Sequence, residues 1–162
     1  MPKHRDAMAL ETKLDGILAE LLAASHGSRC TLRVDNAMLD WHVDFICAEA
    51  IRPGIRTLRN DGSIDQRNAE TVKWLDKHRK NLMQPDLTGA VVPAPPPALL
   101  SAYAAKAQML APLSGREGEL CGWISVHYVE GPRDFTDVEV AALDKSAADV
   151  QALLAPYSTG QV

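Results

Sequence analysis

Three side chains near the carboxyl end of the chain could do chemistry together. In the stretch CGWISVHYVEGPR, residues 121–133, Trp123, Ser125 and His127 alternate with small or aliphatic residues. Such alternation is typical of a β-strand, whose successive side chains point to opposite faces of a sheet. An aromatic ring, a hydroxyl and an imidazole on one face resemble the lining of a small-molecule pocket, in which a few polar groups orient a ligand between apolar walls. The sequence therefore predicts that this face contacts a ligand.

His127 is the candidate with the most versatile chemistry. An imidazole can donate or accept a hydrogen bond to a ligand, or carry a proton near neutral pH as a general acid or base. It can also simply bond to a loop carbonyl, as buried polar groups often do. A Ser125 nucleophile activated by His127 is disfavoured, because side chains two positions apart on a strand lie roughly 7 Å from each other. We expect a binding site, with an enzyme that uses His127 as acid or base as the alternative.

Other candidates come from the preceding strand and from two loops. KAQMLAPL, residues 106–113, is joined to the His127 strand by the turn SGREG, so Gln108 and Leu110 share its polar face. Tyr103 could stack on a flat ligand, although aromatic residues also serve as core. Arg52, followed by two further arginines in IRPGIRTLRNDG, could hold a carboxylate through paired hydrogen bonds. The predicted ligand-binding residues are His127, Ser125, Trp123, Gln108, Leu110, Tyr103 and Arg52.

The remaining pattern predicts an α+β domain. Apolar residues at helical spacing after Thr12 indicate an amphipathic helix that ends near Gly27, and CTLRVDN and WHVDFICAEA indicate two antiparallel strands. SIDQ fits a capping box at the start of a second helix, which is followed by a short strand and a proline-rich loop. Thr136 and Glu139 fit a capping box at the start of a terminal helix. We expect one domain over residues 13–156, with tails at 1–12 and 157–162, and the terminal helices covering the sheet face opposite the ligand.

Composition narrows the class of protein. The chain has 162 residues, a net charge of -4 and 46% hydrophobic residues, which favours one globular domain and disfavours nucleic-acid binding or attraction to acidic membranes. No apolar stretch approaches membrane-spanning length, and the first residues lack a secretory signal, so we expect a cytoplasmic protein. No metal site is predicted. His42, Asp44 and Glu49 could be drawn as ligands, but Glu49 points to the opposite strand face.

The carboxyl-terminal third resembles a known family. Residues 107–154 contain a strand ending in Pro-Leu, a Leu-x-Gly strand ending in His127, a Gly-Pro-Arg turn and a helix opened by Phe-Thr. This run is similar to the closing half of GAF domains, especially those of phytochromes, and the likeness extends over about residues 13–155. It implies a sheet of about six antiparallel strands with a small-molecule pocket in front. It also implies that His127 matches a chromophore-facing histidine, and that Gln108 and Leu110 match pocket-facing positions.

The departures from that family are equally informative. The Cys-His pair of chromophore-binding relatives falls near Pro95 and Pro96, so covalent bilin attachment has no nucleophile there and no cofactor is expected. Residues 48–120 contain no cysteine, unlike the related methionine sulfoxide reductases, and the Asn-Lys-x-x-x-Phe signature of cyclic-nucleotide binders is absent. The resemblance therefore implies a standalone sensor or regulatory module for an unidentified small molecule. We expect a homodimer whose terminal helices act on a separate effector protein.

Overall fold

The computed structural model describes residues 4–157. Its elements, in chain order, are α1 (His4–Ser25), β1 (Arg29–Val34), β2 (Ala48–Ile51), α2 (Glu70–His78), β3 (Leu82–Gln84), α3 (Pro97–Ser101), β4 (Ala107–Ser114), β5 (Leu120–Tyr128) and α4 (Asp137–Leu154). Short 3-10 turns lie at Gln66–Asn68 and Ala155–Tyr157. The predicted α+β class is confirmed.

The strands form one antiparallel sheet in the order β2-β1-β5-β4-β3. The described residues thus contribute five strands, where about six were expected. WHVDFICAEA supplies only its last residues to β2, because the segment before them turns back on itself through the Asn36–Trp41 bridge. The carboxylate of Asp35 also accepts a hydrogen bond from the Val43 amide, 2.9 Å away, which holds this segment as a loop.

Helices α1 and α4 pack together on one face of the sheet. Leu14 and Leu18 of α1, Leu143 of α4, and Ile124 and Val126 of β5 are all fully buried in a single apolar cluster. The prediction that Ile124 and Val126 face the terminal helices is therefore confirmed. Burying a side chain of this size stabilises the fold by about 1.5–3 kcal/mol, so the two-sided character of β5 is strongly specified.

The helix ends agree with the sequence pattern in part. At α4 the capping box is confirmed: the Glu139 amide donates to Thr136 Oγ1 at 3.2 Å, and the Thr136 amide donates to Glu139 Oε1 at 3.0 Å. The box predicted at Ser63 is wrong, because Ser63 donates to Asp61 Oδ1 instead and α2 begins at Glu70.

Secondary structure reaches beyond both bounds of the predicted domain, residues 13–156. Helix α1 begins at His4, so residues 4–12, which were predicted as a tail, are helical. At the other end, the 3-10 turn ends at Tyr157, whose carbonyl accepts a hydrogen bond from Asn36. The rest of the predicted carboxyl-terminal tail, and residues 1–3, lie outside the described residues.

The second face of the sheet lies under a roof, which we define as residues 52–69, α2 and residues 86–105. Two small apolar clusters lie on this side of the sheet. One attaches the roof by joining Val72 and Leu75 of α2 to Leu110 and Trp123 of the sheet. The other lies within the roof itself and contains Leu58, Leu87, Leu99, Tyr103 and Ala105. Among the described residues, no helix is long and apolar enough to cross a membrane.

Candidate ligand-binding site

A small cavity lies between the second sheet face and the roof. Its volume is about 30 Å³. The sheet forms its floor through Thr31, Arg33, Gln108, Leu110, Trp123, Ser125 and His127, and the roof contributes Leu58, Ile64, Gln66, Thr71, Val72, Pro96 and Leu99. Five of the seven predicted residues, namely His127, Ser125, Trp123, Gln108 and Leu110, are therefore brought together.

Strand register explains why these side chains meet. Across β1, β5, β4 and β3, Arg29 lies beside His127, His127 beside Gln108, and Gln108 beside Gln84. In the next row of the same face, Thr31 lies beside Ser125 and Ser125 beside Leu110. Directly paired residues on one face have Cβ atoms about 5 Å apart, so each row is a continuous strip of neighbouring side chains.

His127 is held in one tautomer by Arg29. The Arg29 Nε–H can only donate, and it donates to His127 Nδ1 at 3.0 Å. Burial lowers the pKa of His127 well below 6.5, and the charges of Arg29 and Arg33 lower it further. The ring is therefore neutral near pH 7, with its single hydrogen on Nε2. Nε2 has no hydrogen bond within the described residues.

Arg29 is itself clamped. It is fully buried, its Nη1 donates to the Arg56 carbonyl at 2.8 Å, and its Nη2 donates to the Tyr103 carbonyl at 3.0 Å. Burial lowers the pKa of Arg29 to about 10, against the opposing effect of the Glu49 charge, so the guanidinium remains charged near neutral pH. With all three nitrogens engaged, Arg29 positions His127 and ties the roof to β1.

Arg33 lies at the other end of β1 and borders the cavity. Its side chain is 4% exposed, and Nη1 donates to the carbonyls of Val43 and Asp44 at 2.9 and 2.8 Å. Burial lowers the pKa of Arg33 to about 10, which still leaves it charged near neutral pH. Within residues 4–157, its Nε and Nη2 have no hydrogen-bond acceptor, and no carboxylate forms an ion pair with it.

A glutamine relay fixes the orientation of Gln108. The Pro93 carbonyl can only accept, so Gln84 presents its Nε2 to it at 2.7 Å. Gln84 Oε1 then accepts from Gln108 Nε2 at 2.7 Å, which leaves Gln108 Oε1 as the atom without a hydrogen-bond partner among the described residues. This relay also places the loop between Asp86 and Pro97, whose path was not predictable from sequence.

Two predicted site residues lie outside the cavity lining. Tyr103 is buried in the roof, where its ring lies under the guanidinium groups of Arg29 and Arg56 and its hydroxyl donates to Asp61. Arg52 lies near the surface, and its Nη2 donates to Ser28 Oγ and pairs with Glu130. In both cases a carboxylate outside the cavity, Asp61 or Glu130, holds the polar end of the side chain.

Sequence reasoning missed three floor or clamp residues on β1: Arg29, Thr31 and Arg33. The signal was present in RCTLRV, where these three alternate with Cys30, Leu32 and Val34, which pack toward the helices. Arginine at such positions predicts a solvent-exposed strand face, because arginine is rarely buried without a partner. Only the roof, which comes from distant segments, makes this face an interior one.

The arrangement does not assemble a nucleophile. Ser125 Oγ and His127 form no hydrogen bond with each other, and the three cysteines lie elsewhere. Cys30 belongs to the helix-side cluster, and Cys47 and Cys121 pack against it. Within the described part of the chain, no group of three histidine, cysteine or carboxylate residues could hold a metal ion.

Comparison with known proteins gives the fold a name. The cyanobacteriochrome receptor PixJ superposes with a TM-score of 0.67 at 20% identity, over 93% of this chain and 95% of that chain. The blue-light absorbing form of the Thermosynechococcus elongatus PixJ GAF domain gives 0.62 at 18% identity, over 92% and 87%. A phycoerythrobilin-bound GAF domain from a cyanobacterial phytochrome gives 0.68 at 19% identity, over 93% and 88%. At these identities the likeness establishes the fold, and the chain has the GAF fold.

No protein-family model and no curated protein matches the chain.

Proposed function

We propose that this GAF-fold chain is a sensor or regulatory module that binds a small molecule in the cavity between the sheet and the roof. The observation that carries the proposal is a set of polar side-chain atoms, on residues that line that cavity, without hydrogen bonds to protein. His127 Nε2, Ser125 Oγ, Thr31 Oγ1 and Gln108 Oε1 form no hydrogen bonds within residues 4–157, although their side chains are at most 5% exposed. A ligand or water in the cavity that bonds to these atoms would therefore stabilise the fold.

The same geometry favours binding over catalysis. Because Arg29 occupies Nδ1 and the ring is neutral, His127 presents only an N–H to the cavity. A general base needs a free ring nitrogen facing the substrate, and a general acid of useful strength needs an imidazolium. The alternative, an enzyme that uses His127 as acid or base, would require the Arg29–His127 bond to break.

A bilin is a poor fit to the site. A cavity of about 30 Å³ accommodates roughly two water molecules, and the roof side chains of Leu58 and Leu99 fill the space above the floor. The cysteines lie on the helix side of the sheet, so no thiol reaches this cavity for covalent attachment. We therefore propose a ligand much smaller than the chromophore named for the phytochrome GAF domain.

The route to the terminal helices runs through the end of β5. His127 faces the cavity, while its neighbour Tyr128 faces the helices and donates its hydroxyl to the Ser25 carbonyl at 2.8 Å, at the end of α1. The Ser28 amide donates to the His127 carbonyl at 2.8 Å. A ligand that moves His127 would therefore displace the junction between α1 and β1. Pairing of two chains through the helices, and action on a separate effector protein, belong to the same proposal.

Native mass spectrometry of the purified protein tests the proposal, because it reports a retained small molecule and the number of subunits together. A thermal-shift screen of small metabolites supplements it for weakly held ligands. We expect His127→Gln to weaken binding of any hit by about tenfold, the effect of one lost hydrogen bond. His78→Gln, an exposed histidine on α2, is the matched control and should bind normally.

Two results would count against the sensor function. Absence of any retained mass together with no stabilising molecule in the screen would show that the cavity is a packing defect. Turnover of a hit by the wild-type protein, abolished by His127→Gln, would instead establish the enzyme alternative.

A further inference from the structure

The chemical character of the cavity is set by its hydrogen-bond donors. Four floor groups offer N–H or O–H toward it without a protein acceptor: Nε and Nη2 of Arg33, the hydroxyls of Thr31 and Ser125, and His127 Nε2–H. On the sheet floor the only unpaired atom that must accept is Gln108 Oε1, because the relay from Pro93 fixes its orientation. The hydroxyls can reorient, but Arg33 and His127 cannot accept in this geometry.

The positive charge of Arg33 also favours a ligand that accepts hydrogen bonds. Arg33 is 4% exposed and forms no ion pair among the described residues, although the carboxylates of Asp44 and Asp61 act on it electrostatically without contact. A buried cation favours an anion in direct contact with it. The carboxylates on this side of the sheet are engaged by other groups, and Asp44 accepts from the Gln66 amide at 3.2 Å. Glu49 accepts from Thr57 Oγ1 and, at 2.8 Å, from the Leu58 amide, and lies 3.8 Å from Arg59 Nε. Asp61 accepts from Ser63 and Tyr103.

Size restricts which anion can contact Arg33. About 30 Å³ accommodates roughly two water molecules, so only the smallest anions, such as a planar oxyanion, approach this size. A planar pair of oxygens also matches the fork of guanidinium nitrogens that Arg33 leaves open. A larger anion would have to displace Leu58 or Leu99 from the roof cluster.

We infer that the cavity binds a compact planar oxyanion, held by Arg33 with help from Thr31, Ser125 and His127. This inference rests on the proposed function and specifies its ligand class. The oxyanion is either a free ion, such as formate, nitrate or bicarbonate, or the carboxylate end of a longer metabolite that enters between the sheet and the roof. Gln108 Oε1 then accepts from a protonated or N–H-bearing part of the ligand or from a bridging water.

Calorimetric titration with small anions at constant ionic strength tests the inference on the full chain. Formate and nitrate should bind and raise the melting temperature, whereas formamide, which has the shape of formate without its charge, should do neither. A series from formate through acetate and propionate to succinate distinguishes the two sources. Affinity that falls with length indicates a free ion, and affinity that rises indicates a carboxylate end group.

Variants localise the binding. Arg33→Met should weaken anion affinity by about tenfold or more, as expected for loss of a charged hydrogen-bond donor. Arg116→Met, at an exposed position in the β4–β5 turn, should leave it unchanged. If Arg33→Met does not fold, Thr31→Val removes one donor from the cavity without changing its volume and should weaken binding about threefold or more.

The outcomes separate this inference from the proposed function. Binding of a neutral metabolite with no response to any oxyanion, or anion binding that survives both Arg33→Met and Thr31→Val, would overturn the oxyanion assignment and leave the sensor function intact. No binding of either kind would overturn both.

Discussion

Glu139 connects three parts of the structure and should control much of its stability. Its side chain is 1% exposed. It accepts from the Thr136 amide at the start of α4, pairs with Arg133 before α4, and lies 2.9 Å from His26 Nδ1 at the end of α1. Glu139→Gln keeps a side-chain oxygen for the capping box, since glutamine serves in that position too, but it removes the charge.

The expected magnitude follows from the pKa of this carboxyl group. Burial alone would raise it, but the Thr136 amide, Arg133 and His26 outweigh burial and lower the pKa of Glu139 from 4.5 to about 2. A depressed acid pKa contributes stability above the unfolded-state value, and this contribution is lost as the pH falls from about 4.5 to about 2. At 1.36 kcal/mol for each pKa unit the limit is roughly 3 kcal/mol. Since His26 and Arg133 are partly exposed and screened, we expect a loss of about 2 kcal/mol.

Urea denaturation followed by circular dichroism measures this difference. At pH 7 Glu139→Gln should unfold with a free energy about 2 kcal/mol below that of the wild type. Near pH 3.5 the gap should shrink to roughly half, because the Glu139 carboxyl group is then largely protonated in the unfolded wild-type chain while it is still ionised in the folded protein. Glu20→Gln, an exposed α1 carboxylate without a described hydrogen bond, should change the free energy by less than about 0.5 kcal/mol. A gap that is absent at pH 7, or equal at both pH values, would refute the reasoning.

Two further predictions concern packing and thiol reactivity. Gly122→Ala should destabilise the sheet by about 1–3 kcal/mol in the same urea assay, because the added Cβ would lie 2.2 Å from the Arg33 carbonyl oxygen on β1. A Gly122→Ala protein as stable as wild type would contradict this contact. The control, Gly16→Ala, adds a Cβ with no atom within 4 Å and should stabilise helix α1. Cys30 should react with a thiol reagent only on unfolding, since burial raises its pKa to about 12; rapid labelling in the native protein, read by mass spectrometry, would show that β1 opens locally.

The part of the fold that the sequence predicted is the part governed by local periodicity. Residues 122–127 alternate between small or aliphatic side chains and aromatic or polar ones, so β5 and its division into a helix face and a cavity face follow from the pattern alone. The Thr136–Glu139 capping box is equally local. Gly27 shows the limit of such reasoning: His26, with φ of 58°, takes the left-handed position expected of the glycine. Gly27 is instead constrained by space, because a Cβ there would lie 2.7 Å from Val126 Cγ1.

The candidate site was only half predictable, because its roof depends on contacts between distant segments. Arg29 is buried because the carbonyls of Arg56 and Tyr103 reach it, and they lie 27 and 74 positions away along the chain. No residue close to RCTLRV in the sequence indicates that these two carbonyls will accept hydrogen bonds from Arg29. Arg52 was chosen for the same guanidinium chemistry, but Glu130, which is 78 positions away, holds it near the surface. The alternation of side chains along a strand thus predicts which residues form the floor of the cavity. Hydrogen bonds and ion pairs between distant segments determine which arginines lie near the cavity.

The clamp around Arg29 contains no acid. Its acceptors are two peptide carbonyls and an uncharged imidazole, and none of these changes protonation near neutral pH. The charges of this cluster are therefore constant near neutral pH. If the cavity binds a weak acid as its conjugate base, as proposed, the pH dependence of occupancy would follow the ionisation of the ligand.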